Sequence, residues 1–313
     1  MYDLLVITGP TATGKTALGV ELALTLGGEV VSADSMQVYR GMDIGTAKAT
    51  MEERRGVPHH MLDVVDPWES YSAAKYSEQA AACVEDILAR GKLPVVVGGT
   101  GLYIEGLLRG TDYAAAPGDS GVRQMLEAEY DILGGDAFRE KLAGVDPERA
   151  ANLPAGDKKR LVRAMEVYTL TGKTLTWHDE QSRAVPPRFR AVTIALDFQR
   201  RGDLYDRIDR RAALMFERGL PEEVRGLLDG GLSPESTAMQ AIGYKETVAH
   251  IRGEITLEEA VDLVQRKSRQ YAKRQLTWLR RDENVHWLRW EKAPDLEYAR
   301  RFSTEILRQN AVK

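Results

Sequence analysis

With 313 residues, the chain is long enough for one large domain or two smaller ones. Its 43% apolar and 29% charged residues are typical of a water-soluble protein, and its net charge of −4 gives no overall support for a nucleic-acid partner. The single cysteine, Cys83, excludes an internal disulfide and a cysteine-based zinc cluster. No apolar run approaches the roughly 20 residues of a membrane span and no signal peptide is recognisable, so we expect a cytoplasmic protein without a membrane anchor.

The first predicted elements are a strand at Leu4–Ile7 and a helix at Ala17–Leu26, and the segment between them fits the phosphate-loop pattern G-x-x-x-x-G-K-[ST]. The loop consists of Gly9, Pro10, Thr11, Ala12, Thr13, Gly14, Lys15 and Thr16. In such a loop, N–H groups and the helix N-terminus face a di- or triphosphate, the lysine neutralises charge, and the threonine can hold Mg²⁺. This context favours a ligand site over a plain Gly-rich turn, but it does not identify the phosphate compound.

A second predicted strand, Gly28–Ala33, ends at Asp34, and a loop with short helical pieces is predicted for Ser35–Lys48. Because the carboxyl ends of parallel strands share one edge of a sheet, Asp34 should face the phosphate loop. The carboxylate could hold Mg²⁺, act as a general base, or simply cap a turn.

The pair His59-His60, followed by Asp63, raises the question of a metal site. Further ligands at metal-binding spacing are missing, which favours a structural or hydrogen-bonding role for both histidines.

A helix at Tyr71–Arg90 and a third strand at Leu93–Val97 continue the strand–helix alternation, which predicts a parallel sheet with helices on its faces. The turn Gly98–Gly101 follows this third strand. It could serve close packing only, or its free N–H groups and the Thr100 hydroxyl could bind an anion or a substrate oxygen.

The middle of the chain shows only helical patterns, from Val122 to about Thr176. Turn-forming Thr111–Gly121 precedes this part, and the Pro-rich, basic segment Arg183–Arg190 follows it. Strand character resumes at Ala191–Leu196. We therefore expect a core of residues 1–113 and 190–313, with a helical insertion domain of residues 114–189.

Helices are predicted next at Leu204–Arg218 and Pro221–Gly230. The first carries Arg207, Arg210 and Arg211 among aspartates. These arginines could form a solvated, salt-bridged surface, or one of them could be directed at phosphate.

The predicted helix Leu257–Arg281 is amphipathic over its last 18 residues, where seven basic residues fill one side and no acidic residue occurs. The basic residues are Arg266, Lys267, Arg269, Lys273, Arg274, Arg280 and Arg281. Like charges repel at i, i+4 spacing, so this side requires a polyanionic partner or acidic neighbours in the fold, and we favour nucleic-acid phosphates. A last strand at Val285–Trp290 could close the sheet.

Over nearly its full length the chain resembles the tRNA dimethylallyltransferases, also called tRNA isopentenyltransferases. The phosphate loop alone is shared by many nucleotide enzymes, whereas DSMQVYRGMDIGTAK at 34–48 and GGTGLYI at 98–104 are far more specific. The other matching motifs are PHHMLD at 58–63, SAAKY at 72–76, KRLVRAMEVY at 159–168, IGYKE at 242–246 and KRQLTWLRR at 273–281.

The resemblance implies a P-loop kinase-like α/β core with a parallel sheet and helices on both faces, plus an all-helical insertion. It implies transfer of a dimethylallyl group from dimethylallyl diphosphate to the exocyclic N6 amine of the adenosine 3′-adjacent to a tRNA anticodon. The loop would then hold a leaving group, the base would be flipped out of its stack, and the expected cofactor is Mg²⁺. We expect a monomer.

The resemblance also assigns roles to individual residues. Thr11–Thr16 match the diphosphate loop, Asp34 the general base, Thr100 a residue close to the acceptor, and Arg211 a diphosphate-binding arginine. The implied tRNA contacts are Asp34, Ser35, Met36, Gln37, Thr100, Arg123, Lys159, Arg160, Leu161, Val162, Arg163, Gln240, Ala241, Ile242, Gly243, Tyr244, Lys245, Lys273, Arg274 and Arg280.

Three alternatives remain. An ATP-dependent small-molecule kinase would use Asp34 for Mg²⁺ or the acceptor hydroxyl, and would leave the basic helix unexplained. A prenyltransferase acting on free adenine nucleotides would not need the insertion or the basic helix. A non-enzymatic RNA-binding module would not need an intact phosphate loop.

Overall fold

In the computed structural model of the chain, the residues described are 2–110 and 118–311. They form two compact units, one from the described residues of 1–108 and 189–313 and the other from those of 109–188. The domain boundary expected between residues 113 and 114 lies outside the described residues. Within the described ranges, no helix is long and apolar enough to cross a membrane.

The first unit contains a fully parallel, six-stranded sheet. Its strands are β1 (Leu4–Thr8), β2 (Glu29–Ala33), β3 (His59–His60), β4 (Pro94–Gly98), β5 (Ala191–Phe198) and β6 (His286–Trp290). The strand order is β3-β2-β4-β1-β5-β6, and every neighbouring pair is parallel. All residues of β1, β2 and β4 are buried, as a sheet covered on both faces requires. The predicted α/β fold with a parallel sheet is confirmed.

Fourteen α-helices lie in the described part of the chain. They are α1 (Lys15–Leu26), α2 (Met51–Arg54), α3 (Ala73–Ala89), α4 (Gly101–Arg109), α5 (Ser120–Leu133), α6 (Gly135–Ala143), α7 (Pro147–Asn152), α8 (Lys158–Thr171), α9 (Leu175–Ala184), α10 (Arg201–Glu217), α11 (Leu220–Asp229), α12 (Tyr244–Ile251), α13 (Leu257–Leu279) and α14 (Leu296–Ala311).

The two faces of the sheet contribute to two separate apolar cores, because successive strand residues point to opposite sides. Leu4 and Val6 of β1 pack into a core with residues of α3, α4, α11 and α12. Leu5 and Ile7 pack into the other, with residues of α1, α10 and α14. Helix α13 contributes to both cores, through Val264 to the first and Leu276 to the second. This helix therefore reaches across the edge of the sheet at which the strand-end loops gather.

The second unit is all-helical in its described part and comprises α5 to α9. Its own core includes Leu126, Phe138, Leu142, Leu161 and Met165. Aspartate side chains cap the N-termini of α5, α7 and α8, which satisfies backbone N–H groups that lack partners within each helix. The expected helical insertion is present.

The segment 35–48 differs from the prediction, because it consists of turns without helical pieces. A buried lysine holds it together. Lys48 Nζ donates to the carbonyl of Tyr39 at 2.9 Å, to Asp43 Oδ1 at 2.6 Å and to Asp63 Oδ1 at 2.6 Å. These side-chain bonds connect three points of the chain while the backbone of the segment forms turns. The loop is therefore an ordered wall beside the carboxyl end of β2.

Candidate active site

Residues that follow β1, β2 and β4 line one cavity of about 360 Å³ in the first unit. Thr11, Lys15 and Thr16 come from the phosphate loop and the start of α1, Asp34 follows β2, and Gly99 follows β4. This is the edge at which ligands bind in open parallel sheets. The sequence prediction that these three segments face one site agrees with this geometry.

Side chains of the phosphate loop itself and of distant elements fix the shape of the loop by donating to its carbonyl oxygens. The carbonyl of Pro10 accepts from Thr13 Oγ1 and from Lys15 Nζ, both at 2.8 Å. Arg207 Nε donates to the Ala12 carbonyl at 3.0 Å, and Trp290 Nε1 donates to the Thr13 carbonyl at 2.9 Å. Because the carbonyls are engaged, the loop can present N–H groups to an anion.

Lys15 and Arg211 line the cavity beside this loop, and Arg274 of α13 is a third cation in the cavity lining. Burial, together with the nearby Arg211 charge, lowers the pKa of Lys15 to about 7, although the Asp34 carboxylate opposes the shift. Arg211 Nε is buried and has no hydrogen-bond partner within the described residues. Burial also lowers the pKa of Arg211. A buried cationic N–H group that has no hydrogen-bond acceptor is costly, so the site favours an anion beside Arg211.

Asp34 combines a turn cap with a position on the cavity wall. Its Oδ1 accepts from the backbone N–H of Met36 at 2.9 Å and of Gln37 at 3.4 Å. The capping role considered from the sequence is therefore observed, and it fixes the orientation of the carboxylate. The hydroxyl of Thr100 lies next to it in the fold, because Thr100 Oγ1 accepts from the Ser35 N–H at 3.1 Å.

The glycines of the turn after β4 serve close packing. A Cβ at Gly98 would lie 2.2 Å from the Ala33 carbonyl oxygen, and one at Gly101 would lie 2.5 Å from the Trp278 ring. The same turn also reaches the cavity, since Gly98 and Gly99 line it together with Tyr271 of α13. Burial first, and then the charge of Asp34, raises the pKa of Tyr271 to about 12. The packing and ligand-facing roles are thus combined in one turn.

Two predicted tRNA-contact segments reach the cavity, through Ser35, Met36, Gln37, Gln240, Ala241 and Ile242. The prediction that Tyr244 contacts tRNA is wrong for its side chain. The side chain is fully buried, and its hydroxyl donates to Glu223 Oε1 at 2.5 Å. Glu223 also accepts from the N–H groups of Asp43, Ile44 and Gly45 and so joins the two segments. Gly243 is buried and Lys245 is exposed. Tyr244 therefore supports the cavity wall, and its side chain does not reach the surface.

The basic residues of α13 divide into two groups. Lys267 Nζ binds the buried carboxylate of Glu246 at 2.6 Å, and Arg269 Nη1 binds Asp209 at 2.5 Å. In the described part of the chain, no acidic residue forms an ion pair with Lys273, Arg274, Arg280 or Arg281, all of which are exposed. For Lys267 and Arg269 the explanation is therefore acidic neighbours in the fold, the less favoured of the two that the sequence left open. The basic residues at the C-terminal end of α13 and directly after it have no acidic partner among the described residues.

In the second unit, a buried carboxylate organises two of the predicted tRNA-contact arginines. Glu166 Oε2 accepts from Arg123 Nη2 and Arg163 Nη1, both at 2.7 Å, and Oε1 accepts from the Asp119 N–H at 3.0 Å. Lys159 and Arg160 are exposed at the start of α8.

The prediction that Leu161 and Val162 contact tRNA is wrong for their side chains. These lie in the core of this unit, with exposures of 0% and 2%. Any RNA contact at these two positions would have to use the main chain.

The two histidines of β3 have structural partners. His59 Nδ1 is hydrogen-bonded to the Val57 carbonyl at 2.8 Å, and His60 Nε2 to Glu29 at 2.8 Å. Among the residues that the structure describes, no group of three or more His, Cys, Asp or Glu side chains could hold a metal ion. The structural interpretation of this pair therefore agrees with the structure.

Comparison of the sequence with known proteins identifies the family of the chain. The model of a family described as IPP transferase matches residues 37–282, and that of a family described as isopentenyl transferase matches residues 2–68. The chain belongs to the IPP transferase family.

Relatives in this family match the chain over most of its length. The tRNA dimethylallyltransferase of Pelotomaculum thermopropionicum is 46% identical over 297 residues, covering 94% of this chain and 93% of the relative. The tRNA dimethylallyltransferase of Desulforudis audaxviator is 48% identical over 287 residues, covering 91% of each chain.

Solved structures of the family share the fold. The full-length tRNA isopentenylpyrophosphate transferase of Bacillus halodurans aligns over 99% of this chain and 98% of its own, with a TM-score of 0.73 and 41% identity. A eukaryotic dimethylallyltransferase described as acting on tRNA aligns over 91% of this chain and 73% of its own, with a TM-score of 0.75 and 30% identity. The P-loop-like core expected from the resemblance is thus confirmed.

Sequence reasoning missed three side chains that contact the site. Tyr271 and Gln275 of α13 line the cavity, and Trp290 of β6 donates to the phosphate loop, but the sequence patterns assign none of these three to the site. A polar residue on a buried helix face was the available signal for Gln275, whose exposure is 7%. Nothing in the local sequence pattern indicated that Trp290 binds the phosphate loop, since 277 positions separate it from Thr13.

Proposed function

We propose that this protein transfers the dimethylallyl group of dimethylallyl diphosphate to the N6 amine of the adenosine 3′-adjacent to the anticodon in tRNA. The observation that carries the proposal is the meeting of Lys15, Arg211 and Asp34 on one cavity wall. The cations suit a diphosphate, and the carboxylate suits an acceptor that must lose a proton. Membership of the IPP transferase family supports the same activity.

The donor side of the proposed site is the phosphate loop. Its N–H groups, Lys15 and Arg211 would hold the diphosphate and stabilise the charge that develops as it leaves. Lys15 and Arg211 both line the cavity, which is consistent with this role.

Mg²⁺ fits this donor set. Thr16 at the start of α1 and Asp34 both line the cavity and offer oxygen ligands, which Mg²⁺ prefers, usually one or two from protein together with substrate phosphates. We propose Thr16 as the residue that holds the ion. When bound, Mg²⁺ would neutralise part of the diphosphate charge.

The acceptor side rests on Asp34 and Thr100. As the bond between N6 and C1 of the dimethylallyl group forms, the bond between C1 and the diphosphate oxygen breaks, and the N6 proton passes to the Asp34 carboxylate. An aromatic amine is a weak nucleophile, so a carboxylate that accepts this proton assists the step. The two N–H groups on Asp34 Oδ1 orient the base, and we propose that Thr100, whose hydroxyl accepts from the Ser35 N–H, contacts the acceptor.

We propose that tRNA is held through its phosphates by basic residues that are exposed or, in the case of Arg163, half-buried. In the first unit these are Lys273, Arg274 and Arg280, helped by Lys245 and by the cavity segments 34–37 and 240–242. In the second unit they are Arg123, Lys159, Arg160 and Arg163. We further propose that the protein acts as a monomer in the cytoplasm, where its substrate is found.

The experiment that tests this function compares alternative acceptors in parallel reactions. The protein is incubated with labelled dimethylallyl diphosphate and Mg²⁺, together with unmodified tRNA, AMP or ATP in separate reactions. Label transfer to tRNA alone is expected. Transfer to AMP or ATP would support the free-nucleotide prenyltransferase, and phosphate transfer from ATP without prenylation would support a kinase.

A further inference from the structure

One buried amide bridges the two halves of the cavity wall. Gln275 of α13 accepts from the backbone N–H of Thr11 through Oε1 at 3.1 Å, and it donates from Nε2 to the Gly99 carbonyl at 2.8 Å. The side chain lines the cavity and is only 7% exposed. Both ends of the amide are therefore used, and each is bound to the backbone of a different loop.

Gln275 is a polar residue on a buried, otherwise apolar face of α13. Its neighbours on the same side of α13, Ala272, Leu276 and Leu279, are apolar and buried. Burying an amide is unfavourable unless its donor and acceptor groups are hydrogen-bonded, and here both are. The glycine at 99 makes room for it, because a Cβ there would lie 2.2 Å from Gln275 Nε2. Position 99 must therefore be a glycine for the Gln275 amide to fit.

The two bridged loops belong to different substrates in the proposed reaction. Thr11 lies in the loop that would hold the leaving diphosphate. Gly99 immediately precedes Thr100, whose hydroxyl is tied to the Ser35 N–H next to Asp34. The separation of these loops sets the distance between the donor carbon and the attacking nitrogen. In reactions of two bound substrates, a misplacement of about 1 Å can reduce the rate by ~10².

We propose that Gln275 is a positioning residue that fixes the spacing between the diphosphate loop and the Gly99–Thr100 turn. This inference rests on the proposed function. Gln275 contacts neither the transferred carbon nor the acceptor nitrogen; it acts through the two loops. Its loss therefore lowers the rate of the chemical step at saturation, while each substrate still binds through groups that remain in place.

The test compares Gln275→Met with a matched control on the same helix. Methionine keeps the length and volume of the side chain but removes both hydrogen bonds. Gln265→Met is the control, because Gln265 donates to the Asp209 carbonyl of α10 at 3.3 Å and is outside the cavity wall. Single-turnover transfer to tRNA is measured at saturating donor, and the dissociation constants for tRNA and inorganic diphosphate are measured separately.

For Gln275→Met we expect a single-turnover rate lowered by ~10 to 10², with both dissociation constants close to those of the wild type. Gln265→Met should keep the wild-type rate. A second variant, Gln275→Glu, guards against misfolding. It keeps the size and the acceptor toward Thr11 but places a carboxylate against the Gly99 carbonyl and beside the diphosphate. It should lower the rate and also weaken diphosphate binding.

Folded Gln275 variants with the wild-type rate would overturn the inference. So would a rate loss matched by an equal loss of tRNA affinity, because Gln275 would then merely support the RNA-binding helix. Wild-type protein that transfers no dimethylallyl group would overturn the proposed function and this inference with it. An active wild type with active variants overturns the inference alone.

Discussion

The Arg211 guanidinium lies near the Lys15 ammonium on the cavity wall, and its charge adds to the burial that lowers the pKa of Lys15 to about 7. Below this pH the free protein carries Lys15 mainly charged, and above it mainly neutral. A bound diphosphate favours the charged form, so binding takes up a proton above pH 7.

Diphosphate binding should therefore weaken as the pH rises from 7 to 9, by at most about tenfold per pH unit for one proton. Calorimetric titration with inorganic diphosphate in buffers of different ionisation enthalpy measures both the affinity and the proton uptake. Lys15→Arg keeps its charge throughout this range and should flatten the dependence. Affinity that is independent of pH, without proton uptake, would contradict the role assigned to Lys15.

Asp34→Asn should lower the turnover rate by ~10² to 10⁴, because the amide cannot readily accept the N6 proton. The variant should fold normally, since the asparagine oxygen can accept the same N–H bonds from Met36 and Gln37. Asp282→Asn is a matched control, because Asp282 Oδ1 accepts from the N–H two residues ahead, at 2.9 Å, outside the cavity wall. Recovery of the Asp34→Asn rate at high Mg²⁺ would instead make Asp34 a metal ligand.

The basic end of α13 should determine how strongly tRNA binding depends on salt. Replacing Lys273, Arg274 and Arg280 by Gln should flatten the slope of log K against log salt by up to about 2 to 3, at ~0.7–0.9 for each lost phosphate contact. Filter binding across a salt series measures this slope. Lys267→Gln should leave the slope unchanged, because Lys267 is paired with Glu246. If the Lys267 variant flattened the slope as much as the triple variant, the division of the basic residues into ion-paired and RNA-binding groups would be wrong.

Two glycine substitutions should change the free energy of unfolding in opposite directions. Gly101→Ala places a Cβ 2.5 Å from the Trp278 ring and should destabilise the protein by about 1–3 kcal/mol through overpacking. Gly226→Ala lies within α11, where the added carbon meets no atom within 4 Å apart from its chain neighbours and the backbone of its own helix, and should stabilise by about 0.5–1 kcal/mol. Urea denaturation measures both, and equal effects of the same sign would contradict the packing described.

Features that depend on local pattern were predictable from the sequence. The phosphate loop, the strand ending at Asp34 and the helix with a basic side are each specified by residues close together in the chain, through periodicity and glycine spacing. Alternation of strands and helices was sufficient to predict the parallel sheet. The two-residue strand β3 escaped prediction because so short a segment has no periodicity of its own.

Features that depend on tertiary contacts were not predictable. Glu246, which neutralises Lys267, is 21 positions away on another helix, and Gln275 lies 264 positions from Thr11. In the sequence, all basic residues of α13 therefore appear unpaired, although Glu246 and Asp209 from other helices form ion pairs with Lys267 and Arg269. Tyr244, Leu161 and Val162 lie in motifs that indicate function, yet their side chains are buried, since a motif also includes the residues that hold its shape.

The most direct test of the central claim identifies the product in RNA. The protein, dimethylallyl diphosphate and Mg²⁺ are incubated with unmodified tRNA that has adenosine 3′-adjacent to the anticodon, and with the same tRNA carrying guanosine there. Nucleosides are then analysed by mass spectrometry. We expect N6-(dimethylallyl)adenosine in the first tRNA only, and none with Lys15→Ala, which should still bind tRNA. Failure to modify the first tRNA, or equal modification of both, would contradict the proposed function.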